Sequence, residues 1–210
     1  LSVAVALLNW GDYENSITFK ATTQTRDGTI TIVKHFDLKN KILHHGLMDI
    51  PERLQSKGYA KQQLRKLLPI YEKMGVRRIE LTANLSVGGY AWARAGFSIG
   101  ASDFEKLKKE IAEYKADEIG VTPQTIKTLM DRAKNINDLS KMTLTKEELL
   151  SIAGKLRKTA FDEFNSAQSI APNGDIKIGK YLLMLSEWEG WLNLKGEQYE
   201  KFKEYINQTE

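Results

Sequence analysis

The 210-residue sequence predicts an α/β (α+β) protein: a mixed β-sheet flanked by helices, followed by a mostly helical C-terminal region. Three observations predict it. The first hundred residues hold runs rich in β-branched and aromatic residues, two of them joined by a tight Asp-Gly turn. The third run leads into a helix-like stretch and then another strand, an order that requires a crossover and a parallel pair. From about residue 101 the texture changes to charged segments with helical periodicity. The expected division is therefore a domain over 1–100 and a helical region over 101–210.

Taken in order, "NSITFKATTQT" (15–25) reads as a strand, "RDG" (26–28) as a turn suited to positive φ, and "TITIVKHFDL" (29–38) as the returning strand. "KILHHGLMDI" (41–50) is a third strand with apolar residues at both parities, which predicts a central position with both faces covered. In "AKQQLRKLLPIYEKMG", Leu64, Leu67, Leu68 and Tyr71 recur at helical spacing and Gly75 ends the run. Pro69 inside it predicts a kink or a break. "VRRIELTAN" (76–84) is a further strand and "VGGYAWARAGF" (87–97) a short helix ended by Gly96. Beyond it, Ser102 and Glu105 stand at capping-box spacing, Thr122-Pro123 signals a helix start, and Thr145 caps "KEELLSIAGKLRKTAF". The end, from "IGKYLLMLSEWEGW" onward, is expected to be mostly helical.

Composition narrows the function. Hydrophobic residues make up 41% and charged residues 28%, ordinary for a globular protein, and no apolar run approaches the roughly 20 residues of a membrane helix. No membrane partner is expected. The apolar start has no basic residues before it and is a poor signal peptide, and the chain begins with Leu, which suggests a fragment or processed product. There is no cysteine, so disulfides, thiolate metal sites and cysteine nucleophiles are excluded; a cytoplasmic location is the matching expectation. His35, His44 and His45 are too few and too clustered for zinc, and no metal is expected. Residues 1–100 carry 14 basic and 8 acidic side chains, against 17 and 19 in the remainder. A basic first half points to an anionic ligand there. No P-loop and no hydrolase elbow occurs, and Arg77 and Arg78 alone make no nucleic-acid stripe.

The junction after the third strand carries the chemistry. "QSKGYA" (Gln55, Ser56, Lys57, Gly58, Tyr59, Ala60) opens a helix whose first amides have no partner inside it, and such an end attracts anions. Gly58 permits close approach, Ala60 leaves room, and Arg53, Lys57, Lys61 and Arg65 add positive charge. These donors suit a pyrophosphate.

This segment resembles the GNAT superfamily of acyl-coenzyme-A-dependent N-acyltransferases. Its phosphate loop reads Q/R-x-x-G-x-G/A, with Gln55, Gly58 and Ala60 in the three places, and its later Y-x-x-x-G-F segment is similar to "YAWARAGF". The likeness covers about residues 15–97. It implies acetyl-CoA (coenzyme A) as cosubstrate, with the backbone of Met48, Asp49 and Ile50 along the pantetheine arm. The amides of Gln55 through Ala60 would hold the pyrophosphate, and Asn84 with the 87–95 helix would flank the thiol end, where two strands splay. Several members use a glutamate eleven residues ahead of the loop as general base. That offset falls on His44, or on His45 with a one-residue shift, and the two face opposite sides. The family often has an acid tyrosine four residues before the final glycine. Trp92 stands there instead, leaving Tyr90 or water as proton donor. The implied activity is N-acetyl transfer to a primary amine: a protein lysine or N-terminus, an aminoacyl-tRNA or a small amine. The alternative is a degenerate, non-catalytic module docking within a larger phage-type or toxin-type polypeptide.

Overall fold

The computed structural model describes residues 3–8, 16–54, 58–153 and 169–208. They fall into two compact units, residues 1–82 with 189–210, and residues 83–188.

The first unit is built on a six-stranded sheet of order β1-β2-β3-β4-β5-β6. Its strands are β1 (Val3–Leu8), β2 (Ser16–Thr25), β3 (Gly28–Asp37), β4 (Ile42–Asp49), β5 (Arg78–Ala83) and β6 (Trp188–Asn193). β1 through β4 pair antiparallel, and β5 joins β4 in parallel, so the sheet is mixed. The β2–β3 hairpin turns on Arg26 and Asp27, with Thr25 paired to Gly28. The Thr25 hydroxyl accepts from the Asp27 amide and donates to the Gly28 carbonyl. Gly28 sits at φ +130 with the Pro51 ring against it, where a side chain would meet that ring.

After β4 a 3-10 turn (Glu52–Leu54) leads to α1 (Tyr59–Lys73). Helix α1 runs on through Pro69 without a break. It ends in a Schellman motif: Gly75 at φ +73 donates to the Glu72 carbonyl and Val76 to that of Tyr71. Leu64, Leu68 and Tyr71, the periodic positions, are the buried face. With Phe36, Leu43 and Ile79 from the sheet they form a core in which each large apolar side chain contributes about 1.5–3 kcal/mol. The C-terminal helix α8 (Glu197–Asn207) packs along α1. The Arg65 guanidinium donates to the carbonyl of Ile206 at 2.6 Å, the Lys61 ammonium lies 4.7 Å from the Tyr205 ring centre, and the Tyr199 hydroxyl donates to Glu72.

The element order implied by the GNAT resemblance, hairpin, strand, helix, parallel strand and short helix, is present. The end of the chain differs from expectation. Residues 188–193 are a sixth strand, with Trp188 and Leu192 buried and Glu189 and Asn193 exposed in alternation. The mixture of Trp and Glu that resembled a helix is a two-residue period.

The second unit holds α2 (Leu85–Arg94), α3 (Ala101–Ile119), α4 (Pro123–Met130), α5 (Ile136–Lys141), α6 (Lys146–Ala153) and α7 (Ile178–Leu183) among the described residues. Gly96-Phe97 is another Schellman stop: Gly96 donates to Ala93 and Phe97 to Trp92. The Asn137 amide donates to the carbonyls of Ala93 and Phe97, so this helix end is fully used. Gly89 is a packing glycine, since a side chain there would strike Ser186 and the Leu183 carbonyl. Thr122 and Thr145 cap as the sequence predicts, the latter in a reciprocal box with Glu148. Ser102 does not cap: α3 starts at Ala101, with Gly100 as its N-cap.

Candidate functional site

The first unit contains a place where its sheet opens. β4 pairs with β3 along its length, but Lys34 faces His45 and Val33 faces Leu47, so Gly46 is an extra residue, a β-bulge. The bulge resets the alternation. Up to His45, even-numbered residues face away from α1; beyond it, Leu47 and Asp49 stand opposite Val33 and Thr31 on that same face. On its other edge β4 pairs with β5 only from Ile42–His45 against Arg78–Leu81 among the described residues. Past the bulge the two parallel strands part. Among the described residues, Gly46 through Asp49 have no strand partner on that edge.

The parting leads to α1. Its N-cap, Gly58, sits at φ +71, the left-handed region that favours glycine, and nothing lies within 4 Å of where a side chain would start. The first intrahelical bond is donated by Gln62 to the Gly58 carbonyl at 2.9 Å, so the amides of Tyr59 and Ala60 precede the helical ladder. Open space at a glycine and exposed amides fit a phosphate-bearing ligand. Gln55, Ser56 and Lys57 lie outside the described residues. Of the nearby cations, Arg65 and Lys61 are engaged with α8, while Arg53 is exposed at the 3-10 turn.

One face of this sheet is polar. Four cross-strand neighbours form a row, Thr18, His35, His44 and Glu80. The Thr18 hydroxyl lies 2.8 Å from His35 Nδ1. His44 Nδ1 lies 3.3 Å from Glu80 Oε2, and Arg78 Nε lies 3.0 Å from the other carboxylate oxygen. The Arg78 guanidinium also stacks over Trp191, 4.9 Å from the ring centre. His44 is 46% exposed. His35 is half-buried, and burial, helped by nearby His44, holds its imidazole below the usual 6.5. The expectation that both faces of β4 are covered is therefore corrected: the His44 face is open, because the bulge and the charged row make it a poor packing surface.

The opposite face is the core, and His45 belongs to it. His45 is buried, with its ring edge-on to Tyr71 at 6.4 Å and beside Lys34. Burial, then the adjacent Lys34, pushes its imidazole well below the ordinary histidine value. The Lys34 ammonium meets no hydrogen-bonding partner among the described residues, and burial holds it well below the ordinary lysine value. Of the paired histidines, then, only His44 reaches the polar face.

Asn84 and Tyr90 belong to the second unit. Asn84 is the exposed N-cap of α2 without a side-chain bond to that helix. Tyr90 is half-buried, and burial pushes its hydroxyl up, opposed by Arg94. Trp92 packs edge-on to Phe97 at 5.1 Å.

No family model matches the chain, and no curated protein matches it. Solved structures do match in part. Nourseothricin acetyltransferase is 17% identical with a TM-score of 0.33, over 43% of this chain and 54% of that one. An IAA acetyltransferase from Bacillus cereus ATCC 14579 is 18% identical with a TM-score of 0.34, over 48% of this chain and 79% of that one. The matched part spans about half the length of the first of them. Among the described residues no helix is long and apolar enough to cross a membrane, and no cluster of metal-ligating side chains occurs.

His35 and Glu80 are the residues that sequence reasoning missed. Their signal was register: each falls opposite His44 once the strands are paired.

Proposed function

We propose that the protein is an N-acyltransferase that moves an acetyl group from acetyl-CoA to a primary amine. The observation that carries this reading is the parting of β4 from its parallel neighbour beyond the Gly46 bulge. A strand that continues past the end of its ladder can receive an extended amide-bearing chain beside it, as another strand would. Pantetheine is such a chain, and Met48, Asp49 and Ile50 are the residues proposed to run beside it. At its far end the diphosphate would meet the amides from Gln55 to Ala60, with the helix start favouring negative charge. The thioester end would then lie beyond the last β4–β5 pair. The proton released on amine attack is taken by a histidine of the polar row.

The test is a thermal-shift titration with acetyl-CoA and desulfo-CoA, followed by thiol release with candidate amines. Saturation at about 100 times Kd should stabilise the fold by about 2.7 kcal/mol. Both ligands should raise Tm, and acetyl-CoA with the right amine should release thiol. An unmoved Tm at millimolar ligand would remove the reading. Binding without turnover by any amine would assign the docking role instead.

A further inference from the structure

We propose that the proton acceptor in this acyl transfer is His35, on β3, and not the neighbouring His44. The inference rests on the acyltransferase reading above and narrows it to one imidazole.

The geometry separates the two rings. His35 Nε2 lies 2.9 Å from where a side chain would begin on Gly46, the bulged residue at which β4 leaves β5. The free edge of His35 thus reaches the end of the β4–β5 pairing, and Gly46 is bare because the imidazole occupies its side-chain space. His44 stands two residues before Gly46, opposite Glu80 and still inside the β4–β5 ladder. Each ring has its Nδ1 engaged, His35 by Thr18 at 2.8 Å and His44 by Glu80 at 3.3 Å. When His35 Nδ1 donates its proton to the Thr18 hydroxyl, Nε2 carries the lone pair, and it is Nε2 that borders the end of that pairing.

The step balances within these groups. The amine nitrogen bonds to the thioester carbonyl carbon, and the proton it sheds passes to His35 Nε2. The carbon–sulfur bond breaks with its electron pair on sulfur, and the imidazolium returns the proton to the thiolate. An amide and a free thiol result, and His35 is neutral again. Among the described residues, the charged and titratable groups on its face are Lys20 on β2, Asp37 along β3, His44 and Asp49 on β4, Glu80 with Arg78 on β5, and Glu189 on β6 beside the Arg78-stacked Trp191. A neutral imidazole is the working form. Because burial and His44 lower its titration from 6.5, activity should fall only as pH drops below that value.

The experiment pairs calorimetric coenzyme A binding with pH profiles of kcat/KM. His35→Gln should lower kcat/KM about 100- to 1,000-fold and abolish the acid limb, with coenzyme A affinity changed less than twofold. His44→Gln should retain turnover and move the acid limb to higher pH, since a neighbouring cation is removed. Thr18→Val should lower turnover while sparing coenzyme A affinity. The reverse pattern, with His44→Gln abolishing the acid limb and His35→Gln keeping it, would overturn the assignment. Independently of turnover, imidazole nitrogen NMR should find His35 as the Nδ1–H tautomer at pH 7; an Nε2–H tautomer overturns it even in an active enzyme. A wild-type chain that binds no coenzyme A sinks the acyltransferase reading itself, which the tautomer measurement does not touch.

Discussion

The two faces of the sheet treat adjacent histidines in opposite ways. His45 points under α1 into a core with Lys34 and Tyr71, where burial holds both its imidazole and the neighbouring Lys34 amine well below their ordinary values. His44, one residue earlier, points to a face where Thr18, His35 and Glu80 supply polar neighbours. The residue type is the same and the backbone is continuous. Environment alone separates a group that burdens stability from one available for proton transfer. The Gly46 bulge sharpens the difference by ending the parallel pairing on the polar side.

The largest way to break this arrangement is to fill the bulge. Gly46→Ala would put a methyl group in the space of His35 Nε2, and the ring, as the softer neighbour, must swing aside. Misplacing a reacting group by about 1 Å can cost about 100-fold, and kcat/KM should fall by that order while circular dichroism stays native. An active Gly46→Ala enzyme would mean that the His35 position is irrelevant. Next comes Gly58→Val. A β-branched residue at φ +71 is strained by about 1–2 kcal/mol, and relaxing it would turn the first amides of α1. The Kd for coenzyme A should rise at least about tenfold, measured by calorimetry.

The buried face offers a test of opposite sign. Lys34→Met should raise stability by about 1–3 kcal/mol at pH 7, because it removes a buried amine without a hydrogen-bonding partner. Urea midpoints would read it, and a loss of stability would mean that the amine is serving an unseen partner. The smallest effect is in pH. His45 has a depressed folded value, so its contribution is complete above 6.5 and is lost as pH falls through the folded value. Lys34 likewise adds stability as pH rises toward 10.5, where the unfolded chain loses its own proton. Stability should therefore decline from pH 7 to 5, and His45→Leu should flatten that decline in a urea series.

Much of the fold was legible because it is local. The hairpin at Arg26-Asp27, the α1 stripe, the stops at Gly75 and Gly96 and the caps at Thr122 and Thr145 each need only a few neighbouring residues. β6 was hidden because its alternation, Trp188 to Asn193, is short and its partner lies about a hundred residues away.

What the sequence alone determined is the run of elements from β2 to α2, the glycine-led helix start after β4, and the fact that His44 and His45 must part company, since strand alternation admits nothing else. Only the tertiary structure decided which of the two lies under α1, that Gly46 is bulged, and that Thr18, His35 and Glu80 line up beside His44. The physical reason is that register is a long-range quantity: it depends on how strands far apart in the chain are aligned, and a single extra residue exchanges the faces of everything beyond it.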